Sequence, residues 1–314
     1  MKVLVVQQRY GIGDMVIFSP YIQAISNNLK TPVSLLAKKS SRARDLFAYD
    51  KSVDEIIDLD KSLDKVSGFL KLSKIIRQKK FDKIFIFNGS LRYRVLSTYV
   101  GIKSVYQYPL FTSKDIIFQT AKIFTENIFN HVISSEPKLE INNSELDKCR
   151  KKYNFDSSFK HIILGVSASG PTKRWGIDNF IKLANKIKNK KKCKFYLAGG
   201  LDDKHLINKF ISSGFKNCSF SFENLQIKEI MHVIKNSDLY IGNDTGFMHI
   251  SAGLGLKCIG LFFDSPAYSY SGYTKKIEAI TPLGKTIYTT THNTNGKDRI
   301  SFDEVVEKTL SEVN

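Results

Sequence analysis

The first group of residues that could do chemistry runs from Arg9 to Asp14 and follows the first apolar run of the chain. Gly11 and Gly13 allow the backbone to turn tightly and to approach a ligand closely. A dinucleotide fingerprint would need a further glycine at position 16, where Val16 stands, so the segment does not predict NAD binding. Asp14 lies where a helix begins, which makes it either a helix cap or a general base.

A second group, residues 167–175, follows an apolar run in the second half of the chain. It contains small residues, hydroxyl groups such as that of Thr172, and two adjacent cations, Lys173 and Arg174. This mixture suits a phosphate site, because cations and hydroxyls on a loop bind phosphate oxygens. The alternative is a solvated basic loop in which Trp175, the only tryptophan, anchors the core.

A third group, residues 243–249, reads Asn-Asp-Thr-Gly-Phe-Met-His and leads into a helix rich in small residues. Main-chain N–H groups at a helix start, here those of Thr245 and Gly246, favour an anion. Asp244 could instead be only a helix cap, and His249 could be a core histidine. The combination of a sharp turn, a hydroxyl, a carboxylate and an imidazole at one strand end favours a binding site.

Short apolar runs precede all three groups and recur along the chain, each followed by a turn. Helical patterns separate most of these runs, and strands that alternate with helices predict parallel sheets, whose ligands bind at the carboxyl ends of the strands. The predicted strands are residues 2–7, 33–37, 54–59, 82–88, 161–167, 194–199, 218–222, 238–242 and 257–263. The predicted helices are residues 15–29, 63–78, 177–188, 227–235, 247–254 and 302–313. The first of them is expected to have a kink or a restart at Pro20.

Length and composition indicate a globular protein of two domains, because the chain has 314 residues of which 42% are hydrophobic and 25% charged. The polar stretch at residues 136–158 is the predicted seam. No run approaches the ~20 apolar residues of a membrane helix, and the N-terminal run is too short for a signal peptide. The four cysteines form no C-x-x-C pair and no zinc pattern. We therefore expect a cytoplasmic protein with reduced, buried thiols and no metal site.

The net charge of +18 is unusual and would attract nucleic acid, an anionic membrane surface or phosphorylated substrates. AT-biased codon usage would produce the same excess of lysine. No nucleic-acid motif accompanies the basic and aromatic residues 92–94. Residues 284–286 lack the first glycine of a P-loop, where Ala279 stands, and no G-x-S-x-G elbow supports a hydrolase.

The three groups together resemble glycosyltransferase family 9, the heptosyltransferase family. The family's first motif is an arginine, a short loop, Gly-Asp and a helix with a proline, and it is matched by Arg9, Gly13, Asp14 and Pro20. Its second motif, Thr-Lys-x-Trp after small residues, is matched at 172–175, and its hallmark Asn-Asp-Thr-Gly-x-x-His at 243–249. The order and spacing hold over nearly the whole chain.

This resemblance implies an α/β protein with the GT-B fold, in which two Rossmann-like domains face each other across a central cleft. We expect residues 1–155 to form the N-terminal, acceptor-binding domain. Residues 156–295 would form the C-terminal domain that binds the nucleotide-sugar. Residues 296–314 would contain a final helix that returns to the N-terminal domain.

The resemblance also implies roles for single residues. Asp14 would be the base that deprotonates the acceptor hydroxyl, and the acceptor-side loop around it would include Arg9, Gly11 and Gly13. The donor would be bound by Thr172, Lys173, Asp202, Asp244, Thr245, Gly246 and His249. Lys173 would neutralise the diphosphate, and either Asp202 or Asp203 would lie near the ribose.

These roles fit a single in-line displacement. The base lies on one side of the sugar, and the charge of the leaving diphosphate is stabilised on the other side. The resemblance therefore implies inversion of configuration without a metal or a cofactor, with the nucleotide-sugar as substrate. The family default is ADP-heptose as donor and a lipopolysaccharide core or a related cell-surface glycan or glycolipid as acceptor. A phosphorylated core would suit the positive charge, as would peripheral contact with the anionic inner face of the cytoplasmic membrane.

Two features depart from the family pattern. Phe247 stands where proline is common, and residues 291–301 lack the cysteines that some members carry there. The acceptor half has an unusual set of basic and aromatic residues, namely Arg92, Arg94, Tyr106, Tyr108, Phe111, Phe118, Phe124 and Phe129. The alternatives to the default are another nucleotide-sugar donor for a surface polysaccharide, a basic nucleic-acid-binding protein, and a GT-B binding module without activity.

Overall fold

The computed structural model describes residues 1–109 and 116–313, which fold into two compact units. The first unit comprises Met1–Glu140 and the second comprises Ile141–Asn314. Each unit contains one parallel sheet whose strands alternate with helices, so the predicted α/β class with two Rossmann-like units is confirmed. Phe111, which the sequence analysis named in the acceptor half, lies outside the described residues.

The sheet of the first unit has five strands in the order β3-β2-β1-β4-β5. These strands are β1 (Val3–Gln7), β2 (Val33–Lys38), β3 (Val53–Leu59), β4 (Lys83–Ile86) and β5 (Ser104–Gln107). The helices are α1 (Ile12–Leu29), α2 (Ala43–Leu46), α3 (Lys61–Asp64), α4 (Phe69–Lys79), α5 (Leu91–Val100) and α6 (Ile117–Phe129). Strands β1 and β2 are buried along their whole length, as expected of parallel strands covered on both faces.

The sheet of the second unit has six strands in the order β11-β10-β9-β6-β7-β8. These strands are β6 (Lys160–Gly165), β7 (Cys193–Leu197), β8 (Ser219–Ser221), β9 (Leu239–Asn243), β10 (Lys257–Leu261) and β11 (Ile277–Ile280). The helices are α7 (Asn143–Lys152), α8 (Ile177–Lys188), α9 (Lys204–Phe210), α10 (Ile227–Lys235), α11 (Gly246–Gly253), α12 (Ala267–Ser271) and α13 (Phe302–Val313). Strand β9 lies beside β6, which brings the loops after these two strands together.

The nine predicted strands are all present, but the sequence analysis missed β5 and β11. Both are four residues long and lie at the edge of their sheet. Every residue of β5 is only half-buried. Edge strands therefore produce a weaker apolar signal than central ones.

Helix α1 continues through Pro20, where the sequence predicted a kink or restart. Proline has no N–H and leaves the carbonyl four residues earlier without its helical partner. Here that carbonyl belongs to Val16, and the Ser19 hydroxyl donates a hydrogen bond to it at 2.8 Å. The predicted helix at 63–78 is instead divided into α3 and α4. At the break, a Cβ on Gly68 would lie 2.1 Å from the Ser62 carbonyl oxygen.

The boundary between the units lies after Glu140 rather than at the predicted residue 155. Helix α7 belongs to the second unit, where it packs against α10. Asn236 at the end of α10 donates to the Leu146 carbonyl oxygen at 3.3 Å, and Arg150 donates to the Asn236 side chain at 3.2 Å. The predicted seam at 136–158 thus contains a helix of the second unit.

The final helix, α13, is packed into the core of the second unit, which corrects the prediction that it returns to the N-terminal domain. Val305 and Val313 are buried in that core, and the Phe302 ring stacks on Trp175 with centroids 5.8 Å apart. Lys308 pairs with Glu278 of β11. An amphipathic pattern predicts that a helix buries one face but does not say against which core.

Across residues 1–109 and 116–313, no helix is both long enough and apolar enough to cross a membrane.

Candidate active site

The Arg9–Asp14 loop follows β1 and leads into α1, with Asp14 in the first helical turn. Arg9 Nε donates to Asp14 Oδ1 at 2.7 Å, and the Gly11 main-chain N–H donates to Asp14 Oδ2 at 3.2 Å. A Cβ on Gly11 would lie 2.9 Å from Oδ2, so any larger residue there would displace the carboxylate. The Asp14 side chain remains 14% exposed. The carboxylate therefore caps its own loop and is still accessible to a proton donor.

A basic pocket of about 570 Å³ lies beside this loop, at the carboxyl ends of β1, β2 and β3. Lys38 is buried at its base, pairs with Asp64, and lies 4.3 Å from the centroid of the Tyr10 ring. Lys39 and Lys61 are exposed at the pocket. The lining residues are Tyr10, Ile12, Lys38, Lys39, Ser40, Arg42, Leu59, Asp60, Lys61 and Asp64. This pocket could not be predicted from local sequence, because its cations come from separate segments of the chain.

In the second unit, Asn243 at the end of β9 joins the second and third predicted groups. Its Nδ2 donates to the carbonyl oxygens of Val166 and Ser167 at 3.2 and 3.0 Å. Its Oδ1 accepts from the Trp175 main-chain N–H at 3.1 Å. Asn243 is fully buried. One side chain therefore holds the loop at 167–175 against the start of α11.

The loop at 167–175 combines the two interpretations that its sequence left open. Trp175 is a core anchor, packed edge-on against Phe180 with centroids 5.0 Å apart. Thr172 is exposed and Lys173 is half-buried, at the end of a short 3₁₀ turn. In the described part of the chain, Lys173 has no carboxylate within ion-pair distance. Its positive charge is therefore available to an anion.

The third group divides into a buried part and a part at the helix end. Asp244 Oδ2 accepts from the Ser265 hydroxyl at 2.7 Å, and Asp244 Oδ1 lies 3.4 Å from His249 Nε2. His249 is buried, and its Nδ1 lies 2.7 Å from the Tyr273 hydroxyl. Asp244 and His249 thus fix the loop from within rather than presenting charge at its surface.

Thr245 and Gly246 form the helix end itself. Thr245 is the N-cap of α11, and its side chain makes no capping hydrogen bond. The first N–H groups of a helix have no acceptor within it, so those of Gly246 and Phe247 are available to an anion. The Tyr240 hydroxyl lies 3.3 Å from the Thr245 hydroxyl and donates to the Asn243 carbonyl oxygen at 3.0 Å. Burial raises the pKa of Tyr240 well above its usual value, so it remains a donor.

The two aspartates after β7 differ in their surroundings. Asp203 is buried, and its carboxylate accepts from the Gly200 main-chain N–H at 3.1 Å and from Arg174 at 3.0 Å. Asp202 is exposed on the short turn Leu201–Asp203. Glu223, which the sequence analysis did not select, follows β8 and has a buried carboxylate oxygen, Oε2, without a hydrogen-bond partner in the described residues. It has no motif that would have identified it.

In the part of the chain that the structure describes, no group of three or more histidine, cysteine, aspartate or glutamate side chains could hold a metal ion. All four cysteines are free, and three are buried. Burial raises the pKa of Cys149 and of Cys193 to about 11, so these groups are thiols at neutral pH.

Three solved structures are similar to the whole chain. E. coli ADP-heptose lps heptosyltransferase II is 17% identical, with a TM-score of 0.78 over 100% of this chain and 98% of that one. A family 9 glycosyltransferase of Veillonella parvula is 16% identical, with a TM-score of 0.82 over 99% and 97%. E. coli heptosyltransferase WaaC with ADP is 12% identical, with a TM-score of 0.71 over 99% and 100%. These likenesses show the fold, which is GT-B.

The sequence model of glycosyltransferase family 9 (heptosyltransferase) matches residues 69–297. No curated protein matches the chain in sequence. The matched range includes both loops that Asn243 joins, whereas the Arg9–Asp14 loop lies before it. Because the match spans most of the chain, the protein belongs to glycosyltransferase family 9, the heptosyltransferase family, and is a glycosyltransferase.

Proposed function

We propose that the protein moves heptose from ADP-heptose onto a hydroxyl of a lipopolysaccharide core or a related cell-surface glycan, with inversion and without a metal. The observation that carries the proposal is the Asn243 bridge, which holds two anion-binding loops side by side at the carboxyl edge of the second sheet. One similar structure is named for ADP-heptose and another contains ADP, which supports this donor.

On the donor side, Lys173 and the first N–H groups of α11 bind the diphosphate. Its leaving oxygen gains negative charge as the bond to the sugar breaks, and fixed positive charge lowers the energy of that state. Lys173 supplies a full charge, and the helix end supplies oriented dipoles. Together they replace the role that a metal ion has in other transferases. Asp202 lies on the turn after β7, where it can reach ribose hydroxyls.

On the acceptor side, Asp14 is the general base. It accepts the proton of the attacking hydroxyl while that oxygen forms a bond to the anomeric carbon. The bond between this carbon and the β-phosphate oxygen breaks in the same step, and the nucleoside diphosphate leaves with the electron pair. Attack opposite to the leaving group inverts the configuration. Arg9 is a positioning residue, because its hydrogen bond to Oδ1 orients the carboxylate.

The basic pocket beside Asp14 favours an acidic acceptor. Lys39 and Lys61 lie at the pocket, whereas Lys38 is already paired with Asp64. A phosphate or carboxylate group on the glycan would satisfy these cations. A phosphorylated or acidic core sugar therefore suits this pocket better than a neutral glycan does.

Calorimetric titration of ADP, UDP, GDP and CDP without added metal tests the donor. We expect ADP to bind most tightly. We also expect that EDTA does not change the affinity for ADP. Preference for another base would overturn ADP-heptose and keep the transferase chemistry, whereas binding to none would favour a module without activity. The anomeric configuration of the product, read by NMR, tests inversion.

A further inference from the structure

The first unit carries an exposed apolar face on the paired helices α4 and α5. Five large apolar side chains on this face are between 48% and 89% exposed. They are Val66, Leu70, Leu91, Val95 and Tyr99. The last three lie four residues apart on α5, so they form one stripe along that helix. Single exposed apolar residues are ordinary, but a stripe with neighbours on the adjoining helix is not.

Contacts between the helices make these residues one surface, which we call the α4–α5 face. The Phe69 and Tyr99 rings lie 5.8 Å apart, and the Arg77 guanidinium lies 4.8 Å from the centre of the Tyr99 ring. Arg92 donates to the carbonyl oxygens of Leu63 and Asp64, which holds the start of α5 beside α3. These contacts hold α4 and the segment before it beside α5, so the exposed apolar residues lie on neighbouring elements.

Most of the charge in this part of the chain is positive, although Lys79 pairs with Glu55 and Lys71 lies near Asp60. Residues 65–109 contain ten lysines and arginines and a single carboxylate, which is a net +9 of the chain's +18. The cations are Lys65, Lys71, Lys74, Arg77, Lys79, Lys80, Lys83, Arg92, Arg94 and Lys103. The carboxylate, Asp82, precedes β4 and accepts from the Lys2 main-chain N–H at 2.7 Å. Helices α4 and α5 themselves contain no acidic residue.

We propose that the α4–α5 face is a peripheral membrane-docking surface that binds an anionic lipid bilayer. Two contributions hold a protein on such a surface. Apolar side chains enter the membrane interface, and the surrounding cations contact anionic headgroups. The proposal goes beyond the transfer reaction and does not depend on the donor. It places at the membrane an enzyme whose proposed acceptor includes glycolipids.

The position of the face in the fold supports this occupant. Helix α4 follows β3 through α3, and α5 follows β4, so both begin at the carboxyl edge of the first sheet. Asp14 follows β1 at the same edge. Leu70 and Leu91 lie in the first turns of their helices. A bilayer that contacts these residues would hold headgroup-linked glycans on the side of the unit that carries Asp14.

Two other occupants fit the face less well. A second copy of the chain would bring two mainly positive surfaces together, and like charges oppose that contact. Nucleic acid would satisfy the cations, but its phosphate backbone offers nothing to exposed aliphatic side chains such as Val66 and Val95. An anionic bilayer satisfies both features at once.

Vesicle co-sedimentation of the full chain tests the proposal. Vesicles of phosphatidylcholine with about 30% phosphatidylglycerol are compared with pure phosphatidylcholine. We expect binding to the anionic vesicles only, and weaker binding in high salt. The double variant Leu70→Gln/Val95→Gln should lower the partition coefficient about tenfold or more, as should Lys71→Gln/Lys74→Gln.

Matched control variants separate this face from general hydrophobicity and charge. Val132→Gln/Leu283→Gln changes the same residue types at positions that are 83% and 67% exposed elsewhere. Lys186→Gln/Lys190→Gln removes two exposed lysines of the second unit. Both controls should bind anionic vesicles like the unmodified protein. Equal binding by all variants, or no binding by the unmodified protein, would overturn the proposal.

Two further measurements test the other occupants. Tighter binding to a single-stranded DNA of about 20 nucleotides than to vesicles, unaffected by Leu70→Gln/Val95→Gln, would identify a nucleic-acid surface instead. A dimer in sedimentation velocity that the same variant dissolves would identify a self-interface. ADP affinity should be equal in all variants. A failure of ADP binding in the unmodified protein would count against the proposed function and not against the α4–α5 face.

Discussion

The loops that begin α1 and α11 have the same local architecture and opposite electrostatics. Each follows a buried parallel strand and leads into a helix whose first N–H groups favour negative charge. In the first loop a carboxylate of the chain, Asp14, occupies that position and accepts from the Gly11 N–H. In the second loop the carboxylate of Asp244 is held by Ser265 and approached by His249, which leaves the helix end open.

Under the proposed function, this difference gives the two loops different roles in the same displacement. A loop that already holds its own anion is suited to take up a proton, whereas a loop with an unoccupied helix end is suited to take up a phosphate. In the proposed reaction, the same strand–loop–helix unit would thus serve as base or as anion site according to where one carboxylate lies. The following changes should separate the two roles, beginning with the largest effect.

Asp14→Asn should lower kcat by about 10²–10⁴-fold, because the amide cannot accept the proton of the acceptor hydroxyl. Affinity for ADP, measured by calorimetry, should not change. Asp178→Asn is the matched control, since Asp178 is also a first-turn aspartate and lies at the start of α8. Turnover of the Asp14 variant near that of the control would contradict the assignment of the base.

Asn243→Ala should weaken both the fold and the donor site of the second unit. It leaves two carbonyl oxygens and one N–H without their partner, and each unsatisfied buried group costs about 1–3 kcal/mol. We expect a lower Tm together with weaker ADP binding at temperatures where the variant is folded. A lower Tm with unchanged ADP affinity would show that the bridge does not shape the donor site.

Lys173→Ala should weaken ADP binding by about 1–3 kcal/mol, the range for a charged hydrogen bond, and leave the Tm unchanged. Lys182→Ala removes an exposed lysine of α8 and should have no effect on binding. Retention of full ADP affinity by the Lys173 variant would mean that the diphosphate is bound elsewhere.

Gly11→Ala should have the smallest effect, a loss of about three- to tenfold in kcat through a shift of Asp14. The new Cβ would lie 2.9 Å from Asp14 Oδ2, so the carboxylate must move by a few tenths of an ångström. The unmodified protein is the reference for turnover. Equal turnover of Gly11→Ala and the unmodified protein would show that displacing the Asp14 carboxylate does not impair the base.

The central strands were predictable because their signal is local. Burial on both faces demands nearly continuous apolar runs, as in β1 and β9, and the turn after each run follows from glycine and polar residues. The same reasoning missed β5 and β11, whose place at a sheet edge relaxes that demand. One helix was also predicted where the structure has both α3 and α4. The close approach of Gly68 to the Ser62 carbonyl oxygen, which separates them, leaves no mark in a periodic pattern.

The three candidate loops could be selected from the sequence for the same reason, since each is a contiguous segment after a strand. Types and order of residues in these segments were enough to indicate an anion site, a candidate base and the family. They could not separate Asp202 from Asp203, and only the structure shows that Asp203 is buried against Arg174. Nor could they show that Asp244 and His249 act inside the loop.

Contacts between distant parts of the chain form only in the folded protein, and they could not be predicted from the sequence. Asn243 reaches Ser167, Lys38 reaches Asp64, and α13 packs into the core of the second unit instead of returning to the first. Each depends on which strands become neighbours and on how the helices cross between them, and no single segment encodes that arrangement. Local sequence therefore specified the elements and their chemistry, whereas tertiary packing decided which side chains combine into a site and which surface remains exposed.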